Sequence, residues 1–282
     1  IQAHANPEET AVTTQHVRKD SDKGYTWAEQ MVVVLARELR SDDVVIVGGA
    51  RHDIPFGAAM LAKMLYVPDM TLLTTGQFVN PPMLPLEYSG HTTVLFSKEA
   101  DALFGGYEVF EISETGLSVF FYGGLQIDKY GNSNMHFIGD PKNPTVRGPG
   151  LVNISFSVTA GRTYLFPVWH NKRTFVDKVD FVSAVGHLQG GDSRKNAGIE
   201  TGGPVLCVSP LGVFDFEEKT KHMRVKSIHE WVTREEIIEN TGFELRWPKK
   251  VTTTKPPTKD ELELLHTRID PHGIFKGLSG RL

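Results

Sequence analysis

Blocks of apolar and polar positions predict helices and strands in turn along the chain. Thr26 precedes apolar residues at helical spacing and Glu29 follows it by three positions, which predicts a helix with a capping box that extends to Ser41. The next segments are predicted as a strand, a helix and a strand: 42–50, 54–66 and 68–76. This order forms a βαβ unit, so the pattern predicts a mostly parallel sheet with crossover helices.

Later segments extend the same α/β pattern. Five segments are strand-like: 92–97, 116–124, 163–170, 178–186 and 203–216. Thr233 and Thr258 each begin a helical pattern, over 233–241 and 258–269, and both are capping residues. We therefore predict one layered α/β domain, divided as a flexible N-terminal arm (1–24), the domain itself (25–246), and a linker with a C-terminal helix packed on the domain or on a partner (247–282).

The stretch "FYGGLQIDKYGNSN" (121–134) breaks the strand pattern. Gly123 and Gly124 end an apolar strand, and glycine at such a place indicates a bend or a close approach of main chain or ligand. Residues 128–132 then have the composition of a hairpin turn. The residues alone do not decide between an ordinary turn and a functional one.

Composition and charge narrow the function. The chain has 282 residues, a hydrophobic share of 40% and a formal net charge of −4. This charge gives no general attraction to nucleic acid or to an anionic membrane, and no apolar run approaches the length of a membrane span. We therefore expect a cytoplasmic protein with a neutral or small anionic partner. The single cysteine, Cys207, lies in a strand-like segment and is predicted to be a core residue.

A scan for catalytic motifs finds none. The glycines after residue 47 lack the spacing of a P-loop or of a dinucleotide fingerprint, and no Gly-x-Ser-x-Gly elbow is present. The chain has 11 histidines, and none form an evident metal-ligand pair, so we expect neither a metal nor a permanently bound cofactor. From the residues alone, the chain is predicted to be a soluble α/β protein.

A longer pattern resembles a known family. The segment "YGGLQIDKYGNSNMHFIGD" (122–140) is similar to the Gly-Gly-x-Gln-x-Asp-x-Tyr-Gly-Asn segment of the β-type subunit of class I coenzyme A transferases, particularly the glutaconate CoA-transferase group. Further segments follow the family in order: 65–76, 147–155, 171–187, 208–225, 233–245 and 260–271. The resemblance implies the CoA-transferase fold, an acyl-CoA thioester as substrate, and an α-type partner subunit in an α2β2 assembly.

One departure from the family bears on the chemistry. Transferases of this family carry a glutamate near the end of the second strand, and it attacks the acyl-CoA thioester. The resemblance assigns that position to Thr74, whose hydroxyl has no standing charge and needs an adjacent base before it can attack. The family also includes members without the glutamate, a ring-opening hydrolase of bacterial steroid catabolism and a decarboxylase. This chain looks most similar to the hydrolase.

The resemblance also implies substrate-binding residues. These are Thr75, Gly76, Gly123, Gly124, Gln126, Asn132, Asn134, Gly148, Gly150 and Asn153. Gly148 and Gly150 are predicted to offer backbone N–H groups to an oxyanion beside the thioester. The asparagines are candidates for orienting substrate, with plain turn chemistry as the alternative. The main catalytic base is expected from the partner subunit, while Glu87 and His91 are candidates within this chain.

Three functions follow from these expectations. The first is the β-type subunit of an enzyme that hydrolyses or cleaves a C–C bond of a cyclic or β-oxo acyl-CoA. The second is a genuine CoA transferase that moves CoA between carboxylic acids. The third is a CoA-binding or scaffold subunit without a catalytic group of its own.

Overall fold

The computed structural model describes residues 24–48, 53–74, 77–86, 94–150 and 155–279. Residues 1–23 of the predicted arm lie outside the described residues, as do the site candidates Thr75, Gly76, Glu87, His91 and Asn153. Within the described part of the chain, no helix is both long enough and apolar enough to cross a bilayer.

The described strands form one large sheet and two small hairpins. In chain order the strands are β1 (Val44–Val47), β2 (Thr71–Thr74), β3 (Phe78–Val79), β4 (Ala102–Leu103), β5 (Val119–Tyr122), β6 (Gln126–Ile127), β7 (Ser133–Asn134), β8 (Phe137–Asp140), β9 (Asn143–Arg147), β10 (Arg162–Leu165), β11 (Pro204–Val208), β12 (Gly212–Phe216), β13 (Met223–Ile228) and β14 (Thr252–Thr253). The large sheet has the order β14-β13-β12-β11-β10-β5-β1-β2-β3-β4, and β6-β7 and β8-β9 pair separately.

The centre of the large sheet is parallel. β1 pairs with β2 and with β5, and β10 pairs with β5 and with β11, all in parallel. The strands β12 and β13 on one side, and β3 and β4 on the other, join in antiparallel pairs. The predicted βαβ unit and the layered, mostly parallel α/β sheet are confirmed. Parallel strands of this kind end at one edge of the sheet, where ligand sites are usual.

The described helices cover both faces of this sheet. They are α1 (Trp27–Ala36), α2 (Asp53–Leu65), α3 (Val94–Glu99), α4 (Glu108–Thr115), α5 (Phe156–Thr159), α6 (Ser193–Asn196), α7 (Arg234–Asn240), α8 (Lys259–Leu264) and α9 (Ile274–Ser279), with a π-helix (Leu265–Ile269) after α8. Thr26, Thr233 and Thr258 each complete a capping box with the residue three positions on. The three predicted helix starts are therefore confirmed.

Two strand predictions are wrong and a third is divided. The segment 92–97 contributes to α3, where Phe96 packs into the core, because a short apolar run does not distinguish a helix from a strand. The segment 178–186 forms only an isolated bridge from Ala184 to Ser133, and its main chain bonds to loops instead of to a strand ladder. The segment 203–216 is a hairpin made of β11 and β12.

Alternate residues of the central strands feed two hydrophobic clusters on opposite sides of the sheet. Val119 and Phe121 of β5 join the cluster that contains α1 and α2, while Phe120 and Tyr122 join the other cluster. This alternation is the two-residue period of a strand whose two faces are both buried. Cys207 is free and buried in the second cluster, as predicted for a core residue.

The C-terminal helices pack on the first cluster. Phe275 of α9 is fully buried there, and its Cζ lies 2.8 Å from the position that a Cβ on Gly57 of α2 would occupy. Arg37, which follows α1, makes a paired contact with Glu261 of α8, with Nε–Oε1 and Nη2–Oε2 distances of 2.7 Å. The C-terminal segment thus lies against this chain's own helices.

Candidate functional site

The central parallel strands end together beside the glycine-rich stretch of the sequence. Val47 at the end of β1 is in register with Thr74 at the end of β2, and β5 on the other side of β1 ends at Tyr122, before Gly123 and Gly124. The carboxyl edge of the sheet thus brings together the position assigned to the family glutamate and the bend in the glycine-rich stretch. This edge is the candidate site.

Thr74 has an unusual environment for a hydroxyl. The residue is 7% exposed, and its Oγ1 is buried with no hydrogen-bond partner among the described residues. Its carbonyl accepts a hydrogen bond from the N–H of Gln77 (2.9 Å), a residue with φ of 72° at the turn into β3. Buried polar atoms are nearly always paired, so an unpaired hydroxyl at a strand end indicates a group available to a ligand or water.

The glycines after β5 allow a close approach of main chain. A Cβ on Gly124 would overlap the Oγ of Ser133 and would lie 2.6 Å from the carbonyl oxygen of Gln126, a fixed backbone atom. The Ser133 hydroxyl donates a hydrogen bond to the carbonyl of Gly123. Gly124 is therefore required because β6 and β7 fold back tightly on the end of β5, as the sequence suggested.

A buried carboxylate organises the turn between β6 and β7. Asp128 Oδ1 accepts from the N–H groups of Tyr130 (2.9 Å) and Asn132 (3.0 Å), and Asp128 Oδ2 accepts from Asn132 Nδ2 (2.9 Å). Burial raises the pKa of Asp128 from its ordinary value to about 6, although the hydrogen bonds from Asn132 act in the opposite direction. The prediction that Asp128 fixes this turn is confirmed.

The carboxylate of Asp128 is expected to be important for stability. Asp128→Ala removes the acceptor of two buried N–H groups and of one amide, and should lower the free energy of unfolding by about 2–4 kcal/mol. Asp140→Ala is a matched control, because Asp140 accepts from the Lys142 N–H in an exposed turn (2.8 Å) and should cost less than about 0.5 kcal/mol. Chemical denaturation of both variants measures the difference. Equal losses would show that the turn does not depend on its buried carboxylate.

Asn132 makes only internal hydrogen bonds. Its Nδ2 contacts Asp128 and the carbonyl of Leu188 (2.8 Å), and its Oδ1 accepts from the N–H groups of Gly186 (3.0 Å) and Leu188 (3.1 Å). Both polar atoms of the side chain are used in tying the turn to residues 186–188. This is the turn chemistry that the sequence left open as the alternative to orienting substrate.

Asn134 and Gln126 form a second internal network. Asn134 Nδ2 donates to Gln126 Oε1 (2.8 Å) and to the carbonyl of Phe137 (2.6 Å), while Asn134 Oδ1 accepts from the N–H of His136 (3.0 Å). Gln126 Oε1 also accepts from the N–H of Asp180 (3.0 Å). These amides hold the β6-β7 hairpin to the irregular segment around residue 180, and a direct contact of either with substrate stays a prediction.

The glycine-rich loop after β9 uses its own N–H groups. The N–H of Gly148 donates to the carbonyl of His136 (2.7 Å), and the N–H of Gly150 donates to the carbonyl of Met135 (2.9 Å). A Cβ on Gly148 would overlap the carbonyl oxygen of Met135, and Gly150 has a φ of 71°. The predicted role of these two N–H groups as oxyanion donors is wrong for this arrangement, because both are already bonded.

The structure shows one side-chain pair that the sequence did not indicate. His136 Nδ1 lies 2.6 Å from Ser183 Oγ. The two residues come together because residues 133 and 184 pair in a bridge, and no short-range pattern connects positions so far apart in the chain. The nearest signal in the sequence is that His136 lies within the segment 122–140 that resembles the family.

A second unexpected feature is a buried cation. Arg194 is 6% exposed and donates to the carbonyls of Thr201 (3.2 Å), Val185 (3.1 Å) and Gly186 (2.9 Å). Its guanidinium thus ties the loop that carries α6 to the residues beside the β6-β7 turn. Among the described residues, no group of three or more His, Cys, Asp or Glu side chains is arranged to hold a metal ion.

Comparison with known proteins agrees with this architecture. Residues 28–240 match the family model for coenzyme A transferase. The chain is 35% identical to the B-type chain of 3-oxoadipate CoA-transferase from Pseudomonas knackmussii, over 86% of this chain and 92% of that protein. It is 32% identical to the cholesterol ring-cleaving hydrolase IpdB subunit of Mycobacterium tuberculosis, over 88% of this chain and 96% of that protein. The crystal structure of glutaconate coenzyme A-transferase from Acidaminococcus fermentans aligns with a TM-score of 0.79 and 29% identity, covering 88% of this chain and 96% of that one.

The fold and these relatives define a class of acyl-CoA enzymes. The chain belongs to the coenzyme A transferase family, as a β-type subunit, and it is part of an enzyme that acts on CoA thioesters. The family predicted from the segment 122–140 is confirmed. Both transferases and ring-cleaving hydrolases are among the relatives, so the family by itself leaves the reaction undecided.

Proposed function

We propose that this chain is the β-type subunit of a heteromeric enzyme that hydrolyses, or cleaves a C–C bond of, a cyclic or β-oxo acyl-CoA. The observation that carries this proposal is Thr74, an unpaired buried hydroxyl at the end of β2, where the resemblance assigns the glutamate of the transferases. Transfer through an acyl-enzyme anhydride requires a carboxylate, and threonine has none.

Thr74 is also a poor nucleophile in its own right. A threonine hydroxyl attacks only when an adjacent base removes its proton, and the Oγ1 of Thr74 has no partner among the described residues. Even an acylated threonine would be an ester, which is a much weaker acyl donor than a mixed anhydride. The hydroxyl is better suited to donate one hydrogen bond to substrate or to a reacting water.

The name of one group of relatives supports the same reaction class. The relative from Mycobacterium tuberculosis is named a cholesterol ring-cleaving hydrolase subunit. A hydrolytic reaction consumes water and has no need of an acceptor acid. We infer that the chain acts in a catabolic pathway in the cytoplasm, where CoA thioesters are substrates, and without a permanently bound cofactor.

A CoA transferase is the second candidate. The relatives from Pseudomonas knackmussii and Acidaminococcus fermentans are named as chains of CoA-transferases, at 35% and 30% identity. A transferase would need a carboxylate nucleophile from another position. The experiment below therefore separates the two reactions by their need for an acceptor acid.

The catalytic base is proposed to come from a partner subunit. Each of these two relatives is named as the second of two lettered subunits, which implies a different first subunit beside it. We propose that an α-type subunit closes the pocket at the carboxyl edge of the sheet, in an α2β2 assembly, and supplies the carboxylate that activates water. The chain alone should then bind acyl-CoA weakly and turn it over poorly.

Isotope labelling of the reconstituted two-subunit enzyme tests this function. In water enriched in ¹⁸O, a panel of cyclic and β-oxo acyl-CoA substrates should yield a product carboxylate that carries the label, without any added acceptor acid. A transferase would instead require the acceptor, and hydroxylamine or borohydride would trap a modified glutamate on this chain. Strict dependence on acceptor acid together with such a trapped residue would overturn the proposal.

A further inference from the structure

His136 and Ser183 form a short relay of hydrogen bonds beside the glycine-rich loop. The N–H of Met135 donates to Ser183 Oγ (2.8 Å), and Ser183 Oγ lies 2.6 Å from His136 Nδ1. Ser183 is 2% exposed, and its own N–H donates to the carbonyl of Ser133 (2.8 Å), so its position is fixed by packing. His136 is thus held by a group that cannot readily turn away.

The relay selects one tautomer of His136. Ser183 Oγ already accepts the Met135 N–H, and the acceptor within reach of its hydroxyl proton among the described residues is His136 Nδ1. A serine that donates to Nδ1 leaves that nitrogen without a proton, and a neutral imidazole then carries its proton on Nε2. His136 therefore presents an Nε2–H donor.

The Nε2 edge of the ring faces the loop. A Cβ built on Gly150 would have the His136 ring atoms as its nearest neighbours, with Nε2 at 3.5 Å and Cδ2 at 3.7 Å. Glycine at this position leaves that space open. The other side of the ring packs edge-on against Phe181, with ring centroids 5.0 Å apart, so an apolar wall adjoins the donor.

The main chain of His136 is fixed as well. Its N–H donates to Asn134 Oδ1 (3.0 Å), and its carbonyl accepts the Gly148 N–H (2.7 Å). The glycine N–H groups are consumed by these contacts, whereas Nε2 of His136 has no protein partner among the described residues. A donor held in place before the reaction is what stabilises charge that develops in a transition state.

We propose that His136 is a catalytic residue whose Nε2–H donates a hydrogen bond to the thioester oxygen of acyl-CoA, and that Ser183 is its positioning residue. This proposal rests on the proposed function. Attack by water on the thioester, or breakage of the bond between the α and β carbons, places negative charge on that oxygen. The imidazole stays neutral and stabilises the charge without giving up its proton, so no further proton acceptor is required.

Three variants of the reconstituted enzyme test this role. His136→Phe keeps a flat ring but has no donor, and should lower kcat by about a hundredfold or more, with KM changed by less than about threefold. His136→Gln can return an N–H donor and should recover part of the loss. His272→Phe is the matched control, since His272 is an exposed histidine in the C-terminal segment, and it should keep the wild-type kcat. Circular dichroism and gel filtration verify that each variant folds and assembles.

A spectroscopic measurement tests the relay without relying on turnover. In ¹⁵N-imidazole NMR spectra of the assembled wild-type enzyme, His136 should show the Nε2–H tautomer, and Ser183→Ala should change the tautomer populations and lower kcat. An Nδ1–H tautomer in the wild type, or a His136→Phe variant with kcat within about threefold of wild type, would overturn the inference. If the wild type proves to be a transferase but His136→Phe is still impaired, the proposed reaction fails while the role of His136 stands.

Discussion

Replacement of Gly150 by valine in the assembled enzyme is expected to lower turnover by about a thousandfold or more, because a positioned donor would be covered and the loop displaced. Gly150 has a φ of 71°, a conformation in which a β-branched residue is strained. A Cβ there would also lie 3.5 Å from His136 Nε2, and the branched methyl groups would fill the space before it. Steady-state kinetics with the acyl-CoA substrate measures the loss.

Gly198→Val separates the backbone effect from the local one. Gly198 has a φ of 75° but no atom lies within 4 Å of the position of its Cβ. Both variants therefore carry a similar conformational penalty, while the side chain of Gly198→Val meets nothing. Similar losses of turnover in the two folded variants would contradict the view that the loop at Gly150 borders the reacting thioester.

Acidification is expected to destabilise the folded chain strongly below about pH 6.5. Burial lowers the pKa of His170 to about 3, with a smaller effect of His229, and burial lowers the pKa values of His187 and His229 to about 4. Above their ordinary pKa these histidines are neutral in both states and change nothing. As the pH falls, the unfolded chain binds protons that the folded chain cannot, so stability is lost between about pH 6.5 and pH 4.

The hydrogen bonds agree with neutral rings. His229 Nε2 lies 2.9 Å from the carbonyl of Ser209, so Nε2 carries the proton, and Nδ1 is buried without a partner among the described residues. Each histidine should contribute roughly 2 kcal/mol of destabilisation at about pH 5. Asp128 opposes them, because its raised pKa lets the folded state take up a proton first, which adds roughly 1 kcal/mol of stability at that pH.

Denaturant unfolding between about pH 7.5 and pH 5 should therefore show a net loss of about 4 kcal/mol. His187→Gln keeps an N–H donor for the carbonyl of Pro204, which accepts from His187 Nε2 at 2.9 Å, and it should remove roughly a third of the histidine contribution. The exposed His272→Gln should leave the slope unchanged. A stability that is flat over this range would contradict the neutral, buried state of these rings.

Much of the fold could be predicted because its signals are local. A capping threonine with glutamate three positions on is complete within one turn, and all three boxes are present as predicted. The apolar segment 178–186 was misassigned because its hydrogen bonds are not local. The N–H of Asp180 bonds to the side chain of Gln126, and the N–H of Ser183 bonds to the carbonyl of Ser133. Apolar periodicity carries no information on such partners.

The candidate site divides along the same line. The end of β2 and the bend at Gly124 are consequences of strand pattern and glycine, which can be seen in the sequence. The N–H groups of Gly148 and Gly150 were misjudged because their acceptors, the carbonyls of His136 and Met135, depend on how the β8-β9 hairpin closes. The same closure brings His136 under the loop. A side chain's chemistry can thus be recognised in a sequence before its availability is known.

The central claim is that the reaction proceeds without a nucleophile on this chain, and kinetic assay of Thr74→Ala in the reconstituted two-subunit enzyme tests it most directly. The Thr74 hydroxyl contributes at most one neutral hydrogen bond, worth about 0.5–1.5 kcal/mol, so turnover should fall only roughly two- to twelvefold. Assembly and acyl-CoA binding should be unchanged. A loss beyond about a thousandfold, with binding and assembly intact, would mean that Thr74 is itself the nucleophile and would contradict the account.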